Sequence, residues 1–153
     1  MNFLVIVHHG DYDEQHQITK KGRSNILGWV QQLRDLIDGN RALLLSSTAK
    51  RASQSAQVIA ESLGVPFEEH EILWADYMHS EDTKGLMALI DKRKDEAEII
   101  ILVTHLAYVD RFPLRFARDV LAIPVPDAGH APIPLSGEAV AIDCLKKRFL
   151  QLR

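Results

Sequence analysis

Ala42-Leu43-Leu44-Leu45-Ser46-Ser47-Thr48-Ala49-Lys50-Arg51-Ala52-Ser53-Gln54-Ser55-Ala56 is the stretch that decides the fold. Four apolar residues in a row give way to three hydroxyl side chains and then to a segment with helical spacing. A continuous apolar run is what a strand buried on both faces presents, whereas a strand with one wet face alternates. Ala52, Ala56, Ile59, Ala60 and Leu63 share one helical face that ends at Gly64, and Thr48 is placed to cap that helix. The unit is strand, polar turn, helix.

The same unit recurs on either side. Phe3-Leu4-Val5-Ile6-Val7 is a second continuous apolar run and Ile99-Ile100-Ile101-Leu102-Val103 a third, with a weaker candidate at Val65 to Glu68. After the first run, Thr19 is a plausible N-cap for a helix carrying Ile26, Val30, Leu33 and Ile37 on one face, stopped by Gly39-Asn40. A third helix is predicted from about Glu81 to Lys94, acidic at its start and basic at its end, as the helix dipole favours. A fourth follows His105, with Val109, Phe112, Phe116 and Val120 inward and Pro113 expected to kink or restart it. Pro124, Pro126, Pro132 and Pro134 break up the next segment, and Ala139 to Ile142 reads as a last, edge strand. Alternating strands and helices predict a three-layer α/β/α sandwich on a mostly parallel sheet, as one domain over residues 1–153.

Composition limits the partners. The chain has 153 residues, with Lys plus Arg 18 against Asp plus Glu 21, so a net charge of −3. That balance argues against nucleic acid as a partner, since phosphate-backbone binding normally brings a basic surface. No apolar run reaches the ~20 residues of a membrane span. Phe3 to Val7 is too short for a signal-peptide core and no basic segment precedes it. With a single cysteine, Cys144, the expected location is cytoplasmic. The sequence leaves the oligomeric state open.

In an open α/β sheet the ligand crevice lies beyond the carboxyl ends of the strands. The first run leads into His8-His9-Gly10-Asp11, the second into Ser46-Ser47-Thr48 with Arg51 one turn on, and the third into Thr104-His105. Two histidines and an arginine therefore collect on one rim beside helix N-termini, an arrangement that favours phosphate or carboxylate.

The order of these segments, with Ile18-Thr19-Lys20-Lys21-Gly22-Arg23 between the first two, resembles the histidine phosphatase superfamily over roughly residues 1 to 120. The short chain is most similar to the SixA-like phosphohistidine phosphatases within it. The resemblance implies a phosphoglycerate mutase-like fold, a nucleophilic His9 that becomes phosphorylated, an Arg51 that clamps the phosphoryl oxygens, and a His105 hydrogen-bonded to the same group. Gly10 and His8 would complete the phosphate pocket, and no metal or cofactor is implied. The expected substrate is a phosphohistidine in a protein, or else a small phosphomonoester; so short a chain has little insertion to enclose a mutase-type site.

One position departs from the family motif. His8 stands where Arg-His-Gly has its arginine, and it replaces the charge only when protonated, which predicts an acid-shifted optimum. The competing reading is a phosphate-binding module that has lost catalysis. Candidates for the general acid are Glu71, Asp76, Glu81 and Asp82, with Asp76 and Glu81 preferred, and Asp11 reads either as an acidic site residue or as a turn former. A metal hydrolase using the His8-to-His16 stretch is the rival enzyme, although that stretch lacks a zinc-type ligand spacing. His16, His70, His79 and His130 read as solvent or turn residues, and Arg111, Arg115 and Arg118 as a polar helix face.

Overall fold

The computed structural model describes residues 1–75, 82–123 and 132–152. Six strands form a single sheet: β1 (Phe3–His8), β2 (Ala42–Ser46), β3 (Phe67–Glu69), β4 (Ile99–Thr104), β5 (Ala139–Asp143) and β6 (Arg148–Leu152), in the order β3-β2-β4-β1-β5-β6. The first four of that order are parallel, while β5 runs antiparallel to β1 and β6 antiparallel to β5. Helices α1 (Lys20–Ile37), α2 (Lys50–Leu63), α3 (Thr83–Arg93) and α4 (Leu106–Asp119) connect the parallel strands and follow β4.

Alternation along each strand divides the core into two layers. Val5, Val7, Leu44, Ile99, Ile101 and Val103 pack with Ile26, Trp29, Val30 and Leu33 of α1 and with Ala52, Ala56, Val58 and Ile59 of α2. Leu4, Ile6, Leu45, Ile100 and Leu102 pack with Leu86 and Ile90 of α3 and with Tyr108, Val109, Phe112 and Phe116 of α4. Both faces of the three long parallel strands are therefore dry. Their unbroken apolar runs follow from that.

Side chains cap the starts of α1 and α3, whereas α2 and α4 start without a side-chain cap. Thr19 Oγ1 accepts the Gly22 N–H at 3.0 Å to start α1, and Asp82 Oδ1 accepts the Gly85 N–H at 2.9 Å to start α3. Gly64, at φ 70°, supplies the left-handed residue that ends α2. Thr48 does not cap α2. That position falls to Ala49, which has no side chain to offer, and Ser47 Oγ accepts the Ala49 N–H instead at 3.2 Å.

Two other expectations need correcting: Val120, expected inward on α4, is exposed beyond the helix end, and the last apolar run is not the sheet edge. Helix α4 does not restart at Pro113 but runs through it, with the proline buried. The edge strand is β6, not β5, because the chain turns at Cys144–Lys147, with Lys147 at φ 52°, and adds one further antiparallel strand. The third helix runs Thr83–Arg93 between caps at Asp82 and Lys94, within its expected span of about Glu81 to Lys94. Among the described residues no helix is long and apolar enough to cross a membrane.

Strand order sets the crevice. From β1 the chain crosses to β2 and β3 on one side, then returns to β4, which lies between β2 and β1. Residues at the ends of β1, β4 and β2 are in step: His8 faces Thr104, and Ser46 faces Val103. The three polar segments predicted at strand ends are adjacent.

Candidate active site

His9 follows β1 directly, and its N–H is held by Thr104 O at 3.1 Å, a parallel-sheet bond carried one residue past the strand. Its side chain is 95% buried. Nδ1 lies 3.0 Å from Gly10 O. A carbonyl only accepts, so Nδ1 carries the proton and Nε2 holds the lone pair. Arg51, in the first turn of α2, donates its Nε–H to that Nε2 at 3.0 Å.

His105 follows β4 in the corresponding place, and its ring centroid is 5.0 Å from that of His9. A terminal nitrogen of Arg51 donates to His105 Nδ1 at 3.1 Å, which leaves the proton on Nε2 to be donated to Ser47 Oγ at 2.8 Å. One guanidinium therefore bridges two neutral imidazoles, each in a tautomer fixed by a bond on its far side. Ser55 adds a further constraint: its hydroxyl donates to Arg51 O at 2.7 Å and accepts the Gly10 N–H at 2.9 Å. The α2 turn that carries Arg51 is thereby tied to the residue after His9.

Glycine is needed at this junction because two backbones meet there. A Cβ on Gly22 would stand 2.5 Å from Asp11 O, and one on Gly10 would stand 3.0 Å from Gly22 O. That contact brings the start of α1 against the His9–Asp11 segment.

Burial dominates the electrostatics. It pushes the pKa of His9 down to about 4, with the Arg51 charge, and that of His8 whenever it is protonated, acting in the same direction, against the Gly10 hydrogen bond. His9 is neutral through the physiological range. His8 is also lowered by burial, a trend opposed by its hydrogen bond to Pro134 O. That bond, at 3.2 Å, takes the Nδ1–H, and the His8 ring packs 4.8 Å from the His9 ring. His8 is therefore a mostly neutral neighbour of His9 near pH 7. His8 can stand in for arginine as a cation only once it is protonated, and burial moves that protonation to more acid pH although the Asp11 carboxylate opposes the shift.

The predicted rim residues His8, His9, Gly10, Arg51 and His105 do come together. Asp76 and Glu81 lie outside the described residues. Of the other acids, Asp82 caps α3 and Glu71 opens a short 3-10 turn (Glu71–Leu73). The ends of the two described segments flanking 76–81 are tied beside His105: Thr104 Oγ1–H donates to Leu73 O at 2.6 Å, and Tyr108 OH accepts the Asp82 N–H at 2.8 Å. Asp11 accepts the Thr19 N–H on its carbonyl at 2.8 Å, and its carboxylate pairs with exposed Lys21 at 3.1 Å while its charge acts to raise the pKa of both His8 and His9. Among the described residues no three His, Cys, Asp or Glu side chains gather as a metal site would require. Arg111, Arg115 and Arg118 are exposed on α4.

Sequence reasoning did not single out Ser47, Ser55 or Tyr12. Ser55 stands four residues after Arg51, the spacing at which a helical serine reaches back to a carbonyl, but its second bond to Gly10 depends on the fold. Tyr12 lies with its ring centroid 5.3 Å from that of His9 and 4.9 Å from Arg51 Cζ. Beside this cluster a groove of about 610 Å³ is lined by Asp11, Lys21, Asn25, Trp29, Leu135 and Glu138.

No protein-family model matches the sequence, and no curated protein does. Solved structures do share the fold. A protein assigned as phosphohistidine phosphatase SixA from Nakamurella multipartitia superposes with a TM-score of 0.70 at 16% identity, over 92% of this chain and 83% of that one. The protein histidine phosphatase SixA complexed with tungstate gives 0.66 at 15% identity, over 99% and 94%. A mycobacterial glucosyl-3-phosphoglycerate phosphatase gives 0.66 at 13% identity, over 99% and 97%. The α/β/α fold of this chain is the one these phosphatases share.

Proposed function

We propose that this protein is a phosphatase of the histidine phosphatase superfamily that passes a phosphoryl group through Nε2 of His9. The observation that carries the reading is the fixed tautomer of His9: Nδ1–H is held by Gly10 O, and Nε2 presents its lone pair to the Arg51 guanidinium. A neutral imidazole held this way is a competent nucleophile, and the guanidinium beside it supplies a planar, permanently charged oxyanion clamp. The shared fold with phosphohistidine and glucosyl-3-phosphoglycerate phosphatases supports the same chemistry.

In the first step Arg51 turns its N–H groups from the two imidazoles to the phosphoryl oxygens. The Nε2 lone pair attacks phosphorus, the bond to the leaving group breaks, and the leaving group departs with that electron pair and takes up a proton. In the second step water attacks phosphorus, the P–N bond breaks, and its electron pair returns to Nε2. Most of the catalysis is positioning and charge neutralisation, as phosphoryl transfer requires. His105 remains within reach of the same oxygens, oriented by Ser47. Asp76 or Glu81 is the proposed proton donor, on the ground that the residues flanking them are bound beside His105.

The preferred substrate is a phosphohistidine in a protein. An imidazole leaving group titrates near neutrality, so it needs less help from an acid than an alkoxide does. A small phosphomonoester is the second choice. The location proposed is cytoplasmic and the chain is proposed to act as one domain, without metal.

A phosphate-binding module without turnover is the second reading. It is favoured by one observation, the neutral His8 where the motif has a cation. Hydrolysis of p-nitrophenyl phosphate by wild type and His9→Ala decides between them. Metal-independent turnover lost in the variant, with an acid-labile phosphoryl adduct trapped on His9, supports the enzyme. Phosphate binding with no turnover supports the module.

A further inference from the structure

The loop between β1 and α1 is more tightly built than a connector needs to be. Tyr12 and Ile18 pair across it. Asp13 Oδ1 accepts the N–H groups of Gln15 and Gln17, each at 2.9 Å, while Asp13 O accepts the His16 N–H at 3.0 Å. His16 takes φ 58°, an uncommon left-handed conformation for a residue with a Cβ.

This turn orders a column of planar groups. The His16 ring stacks on the Tyr12 ring at 5.7 Å and 20°, Arg51 Cζ lies over the Tyr12 ring at 4.9 Å, and the Tyr12 and His9 rings meet edge to face. Tyr12 remains 46% exposed, so apolar burial does not account for its placement. Arg51 is the side chain whose orientation decides whether Nε2 of His9 is covered or free.

We propose that Tyr12 is a positioning residue for the phosphoryl clamp: its ring fixes the plane of the Arg51 guanidinium beside His9, and His16 backs it. The inference rests on reading the site as a phosphoryl pocket, and it supplies what the substitution at His8 takes away. Holding the plane of the single guanidinium leaves it free to swing its N–H groups within that plane from the imidazoles to phosphoryl oxygens. His16, read from the sequence as a turn residue, keeps that role and gains a purpose for its left-handed backbone.

The test combines a double-mutant cycle with a probe of the guanidinium itself. Affinity for inorganic phosphate and KM for p-nitrophenyl phosphate are measured for wild type, Tyr12→Leu, Tyr12→Phe and His16→Ala. Tyr12→Leu is expected to weaken both by about three- to tenfold, the range of a partly desolvated cation–π contact, while Tyr12→Phe stays within about twofold. In an Arg51→Ala background, Tyr12→Leu is expected to add nothing. A loss undiminished in that background, or no loss in either, overturns the proposal. If wild type neither binds phosphate nor turns over, the phosphatase reading fails, and the Arg51 Nε–H resonance still decides the column. Slow exchange in wild type and Tyr12→Phe but fast exchange in Tyr12→Leu supports it; equal exchange in all three overturns it.

Discussion

Arg51 donates its Nε–H to Nε2 of His9 at 3.0 Å, so the guanidinium lies across the lone pair that would attack phosphorus. The same side chain reaches His105 Nδ1 at 3.1 Å. Without substrate, the clamp and both imidazoles satisfy one another, and binding must exchange these bonds for bonds to phosphoryl oxygens. A lysine has no planar fork with which to make that exchange. Arg51→Lys is expected to lower kcat/KM by roughly 10- to 100-fold, the equivalent of one charge-assisted hydrogen bond. Steady-state kinetics at pH 7 checks this, and a loss under threefold would mean that Arg51 is not the clamp.

Two signals made the fold legible in the sequence. The unbroken runs at Phe3–Val7, Ala42–Leu45 and Ile99–Val103 are strands because both faces of each are covered, and the residues just past them, His9, Ser47 and His105, inherit a common rim from the strand order. Strand β6 was not legible. In Arg148-Phe149-Leu150-Gln151-Leu152 only Leu150 and Leu152 face one core layer and Phe149 the other, a pattern too short and mixed to mark a strand until it pairs with β5. Nor was Tyr12, because its contacts with Arg51 and His9 join side chains 39 and 3 positions apart in the chain. The neutrality of His8 is a consequence of burial, which a motif comparison does not see.

The pH profile follows from the lowered pKa of His9. Protonation at Nε2 removes the nucleophile, so kcat/KM should fall as pH drops through about 4 and stay free of a His9 limb near 6.5. Because His8 is lowered as well, any gain from a charged His8 is expected only on the acid side of its ordinary value of 6.5. A kcat/KM profile for p-nitrophenyl phosphate from pH 3.5 to 8 checks both statements. An acid limb centred near 6.5 that disappears in no His8 variant would contradict the assignment.

Replacing His8 by arginine puts a permanent cation beside His9. The imidazole is 92% buried and bound to Pro134 O, so the longer side chain must reach past that carbonyl toward the crevice. His8→Arg is expected to raise kcat/KM at pH 8 by roughly tenfold, the lower end of what a charge-assisted hydrogen bond provides, since some of the gain is spent on displacing the Pro134 contact. Kinetics at pH 8 with a thermal melt on the same sample reads activity and folding separately. A well-folded variant no faster than wild type would show that the pocket does not lack an arginine.

Ser47 is buried, and its hydroxyl oxygen receives both the His105 Nε2–H and the Ala49 N–H. Ser47→Ala leaves two buried donors without their acceptor. The expected destabilisation is about 1–3 kcal/mol, measurable by urea unfolding. Activity should fall further than stability alone explains, since His105 loses the bond that fixes its tautomer. Ser47→Thr, which keeps the hydroxyl, should recover most of the activity if its added methyl is accommodated, and it separates orientation from packing.

The buried histidines also make stability depend on pH, and the sign is fixed by the direction of their shifts. His9 has a folded pKa of about 4 against an ordinary value of 6.5, so the unfolded chain binds its proton first as pH falls. The stability that the neutral form contributes is complete above about pH 6.5 and is lost progressively as pH drops toward 4. At about 1.4 kcal/mol for each pKa unit, His9 alone should remove roughly 2 kcal/mol between pH 7 and pH 5, and about 3 by pH 4. His8, lowered by the same burial, adds to the loss in the same direction. Urea unfolding of wild type and His9→Phe at pH 7, 6 and 5 isolates the term, because the variant cannot titrate at that position. Wild type should lose about 2 kcal/mol more than the variant over this range. Parallel losses in the two proteins would mean that the His9 imidazole is better solvated than its burial implies, and the acid limb expected for catalysis would then move up with it.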